Sequence, residues 1–333
     1  MYKLIIQIPC YNEEETLPIT LADLPRELPG ISEIKWLIID DGSSDRTTQV
    51  AKDLGVDYIV RHVQNQGLAR TFMTGLDACI KLGADIIINT DADNQYCASD
   101  IPKLLEPILS GKADIVIGSR PISTISHFSP IKKTLQNLGS WFVRRVSKTK
   151  IQDTTSGFRA FSRKAAMEMH VFNEYTYTLE TIIQAGQKGI AMVDVPIGVN
   201  EQLRPSRLIK SIPDYLRKST LTILRIFMTY QPFAFFITPG LISFSLGILI
   251  GLRFLYYNFT SNGSGHIQSL ILSAILTSLG GFLIITGLIA DLISVNRKLL
   301  ENIEGKIQLL DEKVESIKIR SESASIKNKE GDH

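Results

Sequence analysis

Two long apolar segments near the C-terminus constrain this chain more than any other feature of its sequence. They cover Pro232–Tyr257 and Ser269–Val295, and each is long enough to cross the roughly 30 Å of hydrocarbon in a bilayer as a helix. Arg253 and Asp291 lie near their ends, where a charged side chain can reach the interface or face a neighbouring helix. The segments predict a membrane-spanning hairpin. The alternative is a pair of buried helices in a soluble protein.

Basic residues are distributed unevenly around this hairpin. The connection 258–268 contains no Lys or Arg, whereas the residues before the first segment and after the second are rich in both. The positive-inside rule then places the N-terminal part and the tail together in the cytoplasm. The formal net charge of +2 over 333 residues conceals this segregation. We expect a membrane partner and no nucleic-acid partner. Three widely spaced cysteines exclude a disulfide framework and a Cys-type zinc site.

Two further segments flank the hairpin. Residues 203–231 alternate basic and apolar side chains, a pattern typical of an amphipathic helix at the headgroup layer of an anionic leaflet; a solvated linker helix is the alternative. Residues 296–333 predict a charged cytoplasmic helix with a disordered end. The paired spans and the helical tail together predict a homo-oligomer.

The N-terminal part, residues 1–202, alternates short β-branched runs with helix-patterned stretches. This βα order predicts an α/β domain with an open, mostly parallel sheet and helices on both faces. The predicted strands are Leu4–Ile8, Trp36–Ile39, Tyr58–Val60, Ile86–Asn89 and Ile115–Ile117, and the helical stretches that follow them are 13–24, 45–54, 67–81, 99–110 and 131–146.

Polar residues follow each predicted strand. They occupy 9–13, 40–45, 65–67, 91–93 and 118–120. In parallel α/β sheets, ligands bind beyond the carboxyl ends of the strands. The five loops therefore predict one binding site at one edge of the sheet.

The fourth of these loops carries two carboxylates, Asp91 and Asp93, with Gln95 two residues further on. Mg²⁺ and Mn²⁺ take oxygen ligands and bind through one or two carboxylates together with substrate phosphates. In isolation, such a tripeptide is more often a solvated turn. Its place at the end of a buried strand favours a metal site.

The second loop carries another pair, Asp40 and Asp41. Ser44 or Asp45 is the better candidate for capping the following helix, which leaves Asp40 or Asp41 to accept hydrogen bonds from a nucleobase or ribose. No G-x-G-x-x-G or G-K-[ST] motif occurs. Bound phosphates must therefore be neutralised chiefly by metal and arginine.

Six motifs together resemble the family 2 glycosyltransferases of GT-A fold. They are I-P-x-Y-N-E-E-x-x-L (8–17), D-D-G-S-S-D (40–45), N-x-G (65–67), D-A-D-N-Q (91–95), G-S-R (118–120) and D-T-T-S-G-F-R-A-F (153–161). More narrowly, the chain resembles the polyprenyl-phosphate glycosyltransferases, which include dolichol-phosphate mannose synthases and bacterial undecaprenyl-phosphate glucosyltransferases of the GtrB type. Two C-terminal spans match the latter group.

The resemblance implies roles for the matching positions. The nucleotide would be bound by Pro9, Tyr11, Glu13, Asp40, Asp41, Asn65 and Asp91. The metal, Mg²⁺ or Mn²⁺, would be held by Asp91, Asp93 and Gln95. The reacting centre would involve Asp93, Asp153 and Arg120, with Ser156, Gly157 and Arg159 forming its floor. The acceptor phosphate would be met by Arg120, Lys132, Lys133 and Arg207.

The sequence also departs from the family pattern. The lysine and second glycine usual after N-x-G are missing, and the late R-x-x-G-x-S-K motif is replaced by E-Q-L-R-P-S-R at 201–207. Arg207 can replace the lysine as a cation.

The implied activity is an inverting transfer of a hexose from a nucleotide-sugar to undecaprenyl phosphate at the bacterial plasma membrane. UDP-glucose is the first expectation, with GDP-mannose or another UDP-sugar behind it. A processive polysaccharide synthase of this fold would carry a Q-x-x-R-W motif and more spans, and the sequence has neither. An inactive membrane scaffold would have lost a metal carboxylate or the Asp153 motif, and both are present.

Overall fold

A computed structural model of the chain describes residues 2–121, 143–144, 147, 149–169, 171, 177–201, 221, 224–225, 227–260 and 267–330. Lys132, Lys133, Arg207, most of the helix expected over 131–146 and most of 203–231 lie outside the described residues. The chain divides into two compact units. One comprises Met1–Arg217 with Gln308–His333, and the other comprises Lys218–Ile307.

The first unit contains a seven-stranded sheet in the order β3-β2-β1-β4-β6-β5-β7. Its strands are β1 Tyr2–Cys10, β2 Ile31–Asp40, β3 Tyr58–Arg61, β4 Ile86–Asn89, β5 Ile115–Ser119, β6 Arg159–Ser162 and β7 Met192–Pro196. Its described helices are α1 Leu17–Asp23, α2 Thr47–Asp53, α3 Leu68–Lys81, α4 Ile101–Leu109, α5 Arg163–Met167 and α6 Thr178–Lys188. The five strands expected from the sequence are confirmed, while β6 and β7 were not predicted.

Both faces of the sheet are covered because its central strands alternate buried side chains between two cores. Leu4, Ile6 and Ile8 of β1 pack in the cluster that includes side chains of α1 and α4. On the opposite face, the ring of Phe72 from α3 lies 5.8 Å from that of Phe161 and 3.9 Å from that of Tyr177. The expected α/β architecture is confirmed, since a strand buried on both faces reads as a continuous apolar run.

The register of the strands brings the polar loops to one edge. Cys10 pairs with Asp40, Asp40 pairs with Arg61, and Gln7 pairs with Asn89, all in parallel. β6 is antiparallel to both β4 and β5. It therefore begins, at Arg159, beside the ends of those strands, and the segment 153–158 that leads into it lies at the same edge.

The second unit contains two apolar helices, α7 Pro232–Thr260 and the first part of α8 Ile267–Glu330. Pro232–Thr260 and Ile267–Arg297 are long and apolar enough to cross a membrane, each with a mean hydropathy of 2.1 over its most apolar stretch. Their large side chains are mostly exposed, as for Leu249 at 61% and Phe282 at 67%. The two helices are therefore unlike the buried core helices of a soluble protein.

Small residues allow these two helices to approach closely. A Cβ on Gly280 would lie 2.5 Å from the backbone nitrogen of Phe244, and one on Gly247 would lie 2.7 Å from that of Thr277. The Ser273 hydroxyl donates to the Gly247 carbonyl at 2.7 Å. Close backbone contact through small residues and a hydroxyl hydrogen bond is typical of helix pairs in bilayers.

Candidate active site

The loops after β1 and β2 are joined by hydrogen bonds. The backbone N–H of Asn12 donates to the Ser43 hydroxyl at 2.9 Å, and the Asn12 side-chain oxygen accepts from the N–H of Ser44 at 2.8 Å. Asn12 has a φ of +54°, a left-handed conformation that asparagine tolerates. Pro9 and Glu13 are buried at this edge, whereas the Tyr11 side chain is 43% exposed. Tyr11 therefore presents an aromatic surface beside the two joined loops.

Asp40 is fully buried, and its carboxylate has three partners within the chain. It accepts hydrogen bonds from the Ser43 N–H at 2.9 Å and from the Thr48 hydroxyl, and it pairs with Arg61 at 3.2 Å. The carboxylate thus fixes the turn that begins at Gly42. Direct contact between Asp40 and a nucleoside stays a prediction.

Asp41 is also buried and holds the N-x-G loop. Its two oxygens accept from the N–H groups of Gln66 and Gly67 at 2.8 and 2.9 Å, and Oδ1 lies 2.8 Å from Nδ1 of His62. A Cβ on Gly42, where φ is +73°, would meet the Gln64 carbonyl carbon at 2.7 Å. Asp41 therefore supports the loop that exposes Asn65, and its own contact with the nucleotide stays a prediction.

The loop after β4, residues 91–95, is held from two sides. The Thr20 hydroxyl of α1 donates to the Ala92 carbonyl at 2.9 Å, and the side chain of Asn200 donates to the Asn94 carbonyl at 3.0 Å. The backbone N–H of Gln95 donates to Asp93 at 3.2 Å. Asp91 and Asp93 keep partial contact with solvent, so both carboxylates are fixed at the mouth of the site.

The charge of Asp91 is poorly compensated by the chain itself. Burial and the neighbouring negative charge of Asp93 raise its pKa to about 7, with a smaller contribution from Glu13, although Arg120 acts in the opposite direction. Such a carboxylate pair fits an external cation. Among the described residues, no group of three Asp, Glu, His or Cys side chains could hold a metal. A divalent cation here would need oxygens from a substrate or water, as is usual for Mg²⁺.

A buried polar network positions Asp91. The Tyr96 hydroxyl accepts from the Gly157 N–H at 2.8 Å and contacts Asp91. The Asn89 amide donates to the Gly157 carbonyl at 2.8 Å and to the Tyr177 hydroxyl at 2.9 Å. A Cβ on Gly157 would lie 3.1 Å from both oxygens of Asp91. A glycine at 157 therefore leaves the space that the carboxylate occupies.

Arg120 and Asp153 form a buried ion pair next to this network. Arg120 donates to Asp153 through Nε at 2.7 Å and Nη2 at 3.1 Å, and also to the Thr155 hydroxyl at 2.9 Å. Burial opposes the charge of Asp153, but hydrogen bonds and charge from Arg120, with help from Thr155, lower its pKa overall. Asp153 is thus an ionised carboxylate that orients an arginine.

Arg159 is completely buried and supports the segment 153–157 from beneath. Its guanidinium donates to the carbonyl oxygens of Ser156 at 2.7 Å and Thr154 at 3.1 Å. Burial lowers its pKa to about 10, which leaves it charged at neutral pH. Arg159 holds backbone, whereas Gly157 lies against the acidic pair.

The structure brings the described candidate residues together at one edge of the sheet, and it adds partners that sequence reasoning missed. The missed residues are Asn89, Tyr96, Tyr177 and Asn200. Only the position of Asn89 at the end of an apolar strand could have indicated a buried polar role.

Comparison with known families gives a match to the profile described as "Glycosyl transferase family 2" over residues 5–169. The chain is 31% identical over 212 residues to the UDP-N-acetylglucosamine–dolichyl-phosphate N-acetylglucosaminyltransferase of Methanococcus voltae, with 57% of this chain and 82% of that protein covered. It is 26% identical over 209 residues to the polyprenol monophosphomannose synthase of Mycolicibacterium smegmatis, with 60% and 77% covered.

Among solved structures, the chain is similar to the glucosyl-3-phosphoglycerate synthase of Mycobacterium tuberculosis. The TM-score is 0.55 at 17% identity, with 69% of this chain and 80% of that chain covered. That enzyme was crystallised with Mn²⁺, UDP and glucosyl-3-phosphoglycerate. At this identity the likeness concerns the fold.

Proposed function

We propose that this chain, which belongs to glycosyl transferase family 2, transfers a hexose from a nucleotide-sugar to a polyprenyl phosphate. The observation that carries the proposal is the acidic pair Asp91 and Asp93, held at the sheet edge beside Arg120. Two helices apolar enough to cross a membrane support a lipid acceptor. The relatives from Methanococcus and Mycolicibacterium carry names that specify a dolichyl-phosphate acceptor and a polyprenol monophosphomannose product.

On the donor side, the nucleotide would lie across the joined loops after β1, β2 and β3. Tyr11 offers an exposed ring, and Asn65 is exposed on the loop that Asp41 holds in place. Pro9, Glu13 and Asp40 would shape the floor of this region. A base and ribose would therefore meet a preorganised surface that needs little rearrangement on binding.

The donor diphosphate would meet the acidic pair through a divalent cation. Asp91, Asp93 and Gln95 would hold Mg²⁺ or Mn²⁺, which when bound supplies positive charge at the leaving group. Because Asp91 and Asp93 repel one another, the chain itself favours occupancy by a cation.

On the acceptor side, no general base is required. A lipid phosphate monoester is largely a dianion at pH 7 because its second pKa is near 6. Its oxygen attacks the anomeric carbon, the bond from that carbon to the nucleoside diphosphate breaks, and the nucleoside diphosphate leaves with the electron pair. Asp153 holds Arg120 in two hydrogen bonds, so Arg120 can steer an anion without moving. Lys132, Lys133 and Arg207 are proposed as further cations for the acceptor.

The identity of the sugar is the finer part of the proposal. UDP-glucose follows from the likeness of the sequence to glucosyltransferases with two C-terminal spans. The named relatives concern N-acetylglucosamine and mannose instead. UDP-glucose is therefore tested together with UDP-N-acetylglucosamine and GDP-mannose.

The proposed arrangement has four parts. Residues 1–202 form a cytoplasmic catalytic domain, and 203–231 form basic juxtamembrane helices. Residues 232–295 form a membrane hairpin, and 296–333 form a cytoplasmic tail. Placement of the hairpin in a bacterial plasma membrane rests on the positive-inside rule and on the proposed lipid acceptor.

The test incubates the purified full-length chain with undecaprenyl phosphate or dolichyl phosphate and each of the three labelled donors. Mn²⁺, Mg²⁺ or EDTA is added, and the label in the lipid phase is counted. We expect one donor to give a metal-dependent glycolipid. The Asp93→Asn variant should lose this product, and Asp53→Asn, which removes an exposed carboxylate on α2, should retain it.

Two results would contradict the proposal. Metal-dependent binding of a donor without any label in the lipid phase, with either lipid, would overturn the proposed acceptor. Loss of donor binding as well would leave the inactive scaffold as the better account.

A further inference from the structure

The helix α8 does not end where its apolar stretch ends. The stretch closes at Arg297, and the helix continues to Glu330. In this continuation, Leu300, Ile303, Ile307 and Leu310 recur at spacings of three and four residues. Because such spacing returns to the same side of a helix, the four residues form one stripe. We refer to these four residues as the tail stripe.

The tail stripe is open to solvent along its length. The exposed fractions are 66% for Leu300, 54% for Ile303, 52% for Ile307 and 60% for Leu310. The residues between them are mostly charged or polar, including Glu301, Glu304 and Lys306. An apolar stripe in an otherwise charged helix is the pattern of a coiled-coil strand.

We propose that the tail stripe pairs with the same stripe of a second copy of this chain, as a parallel coiled coil. This inference rests on the proposed membrane hairpin, because copies inserted with one orientation extend their tails in the same direction. With Leu300 at position a of a heptad, Ile307 and Val314 also fall at a, and Ile303, Leu310 and Ile317 fall at d. Ile307 at a with Leu310 at d is the combination that favours two strands, whereas Leu300 at a with Ile303 at d favours a larger bundle. We commit to two strands because the charge pattern below involves the second heptad.

The charge pattern agrees with a parallel pair. In this register, Lys306 occupies position g and Asp311 occupies the following position e. Parallel coils bring position g of one helix beside the following e of its partner, so Lys306 would face Asp311 in both directions. Lys313 and Lys318 would oppose each other, which concentrates the favourable contact in the first two heptads.

Continuity of the helix argues against another occupant, the membrane surface. To lie in the headgroup layer, the tail stripe would have to turn away from the axis of the spanning segment. Sharp kinks occur mainly at proline, at Gly/Ser pairs or at helix bulges, and residues 298–330 contain no proline. A single glycine, Gly305, lies in the stretch.

The first experiment is disulfide formation in native membranes containing the full-length chain. Leu310→Cys places a thiol at position d, and Glu312→Cys places one on the opposite side, at position f. We expect cross-linked dimers to form at least about tenfold faster for Leu310→Cys. Equal rates for the two variants, or no dimer for either, would overturn the proposal.

The second experiment tests the register. Lys306→Glu alone and Asp311→Lys alone should each weaken the homodimer, because each places like charges together. A mixture of the two variants should form heterodimers in excess over the statistical ratio, since both contacts are then attractive. A statistical mixture would refute the parallel register.

Carbonate extraction and the glycolipid assay are run on the same membranes. A chain that remains in the membrane and is active, yet shows no preference for position 310, refutes the coiled coil alone. A chain that is extracted by carbonate refutes the membrane hairpin, whatever the cross-linking shows.

Discussion

Two acidic pairs lie at the same edge of the sheet, and their surroundings give them opposite properties. Asp40 and Asp41 are buried, and each carboxylate has three partners within the chain. Asp91 and Asp93 keep partial contact with solvent, and burial together with the negative charge of Asp93 raises the pKa of Asp91.

The difference shows that the hydrogen-bond donors around an acidic pair determine whether the pair stabilises the fold or binds a ligand. A carboxylate saturated by N–H and O–H donors is part of the scaffold. One whose charge is left uncompensated is suited to bind a cation or a positively charged ligand. The motif letters, D-D and D-x-D, do not distinguish these roles.

The largest expected effect concerns Asp91 and Asp93, which we call the open pair. Asp93→Asn removes a proposed metal ligand and should lower glycosyl transfer by about 10³-fold, roughly 4 kcal/mol of transition-state stabilisation. The melting temperature without metal should stay the same or rise, because the repulsion with Asp91 disappears. Steady-state rates and thermal unfolding check both parts. If Asp93→Asn were destabilised but fully active, Asp93 would serve the fold and not a metal site.

Asp40 and Asp41, which we call the saturated pair, should affect stability more than activity. Asp41→Ala leaves the N–H groups of Gln66 and Gly67 and the buried ring of His62 without their acceptor, which should cost about 3 kcal/mol of unfolding free energy. Urea unfolding measures it. Asp41→Asn keeps one acceptor oxygen, and we expect about half of that loss. If Asp41→Ala left the stability unchanged and abolished only donor binding, Asp41 would belong with the open pair.

The pH dependence of stability sharpens the contrast further. The folded-state pKa of Asp91 is about 7, above its ordinary value of 3.8. The stability linked to its protonation is therefore fully present below about pH 4 and is lost as the pH rises through 7. Because Asp91 keeps some contact with solvent, we expect about 2 kcal/mol. Unfolding of metal-free protein at pH 5 and pH 8, compared between the wild type and Asp91→Asn, isolates this contribution.

A smaller effect is expected at the residue that links the open pair to the core. Tyr96→Phe removes the hydroxyl that accepts from the Gly157 N–H and contacts Asp91. We expect about 1 kcal/mol of lost stability and a roughly tenfold rise in the Mn²⁺ concentration for half-maximal activity. Direct Mn²⁺ binding by electron paramagnetic resonance separates the second effect from the first. An unchanged Mn²⁺ affinity would show that Tyr96 serves the fold alone.

The smallest effect should come from an ion pair at the surface of the same loops. Arg46 is 82% exposed at its side chain and lies 3.2 Å from Glu14. Exposed ion pairs contribute little to stability. Arg46→Ala should therefore change the free energy of unfolding and the activation free energy of transfer each by less than about 0.5 kcal/mol. A larger loss in calorimetry would mean that the joined loops depend on this pair.

The first five strands and their loops can be predicted from the sequence because the signals for them are local. The first five strands are apolar runs, and the rule that parallel strands bind ligands beyond their carboxyl ends places their loops at one edge. The short β6 carries no such signal, because Arg159–Ser162 becomes a strand only through pairing with β4 and β5.

The supporting residues of the site escaped prediction for a similar reason. Tyr96, Tyr177 and Asn89 meet around Gly157 only after the sheet has formed. A single tyrosine or asparagine letter does not reveal a partner 61 or 88 residues away. Asp40 and Asp41 could be located from the sequence, whereas the number of donors around them could not.

The insertion of β6 between β4 and β5 has a consequence for synthesis of the chain. One side of β4 pairs with β1, which is synthesised earlier. The other side pairs with β6 and has no neighbour until residue 162 has been synthesised. At ~5–20 residues per second, the ribosome needs roughly 4 to 15 s to add the intervening segment. During that interval, a strand of three isoleucines and an asparagine offers unpaired backbone to any other chain. The nascent protein is thus exposed to aggregation from the synthesis of β4 until β6 pairs with it.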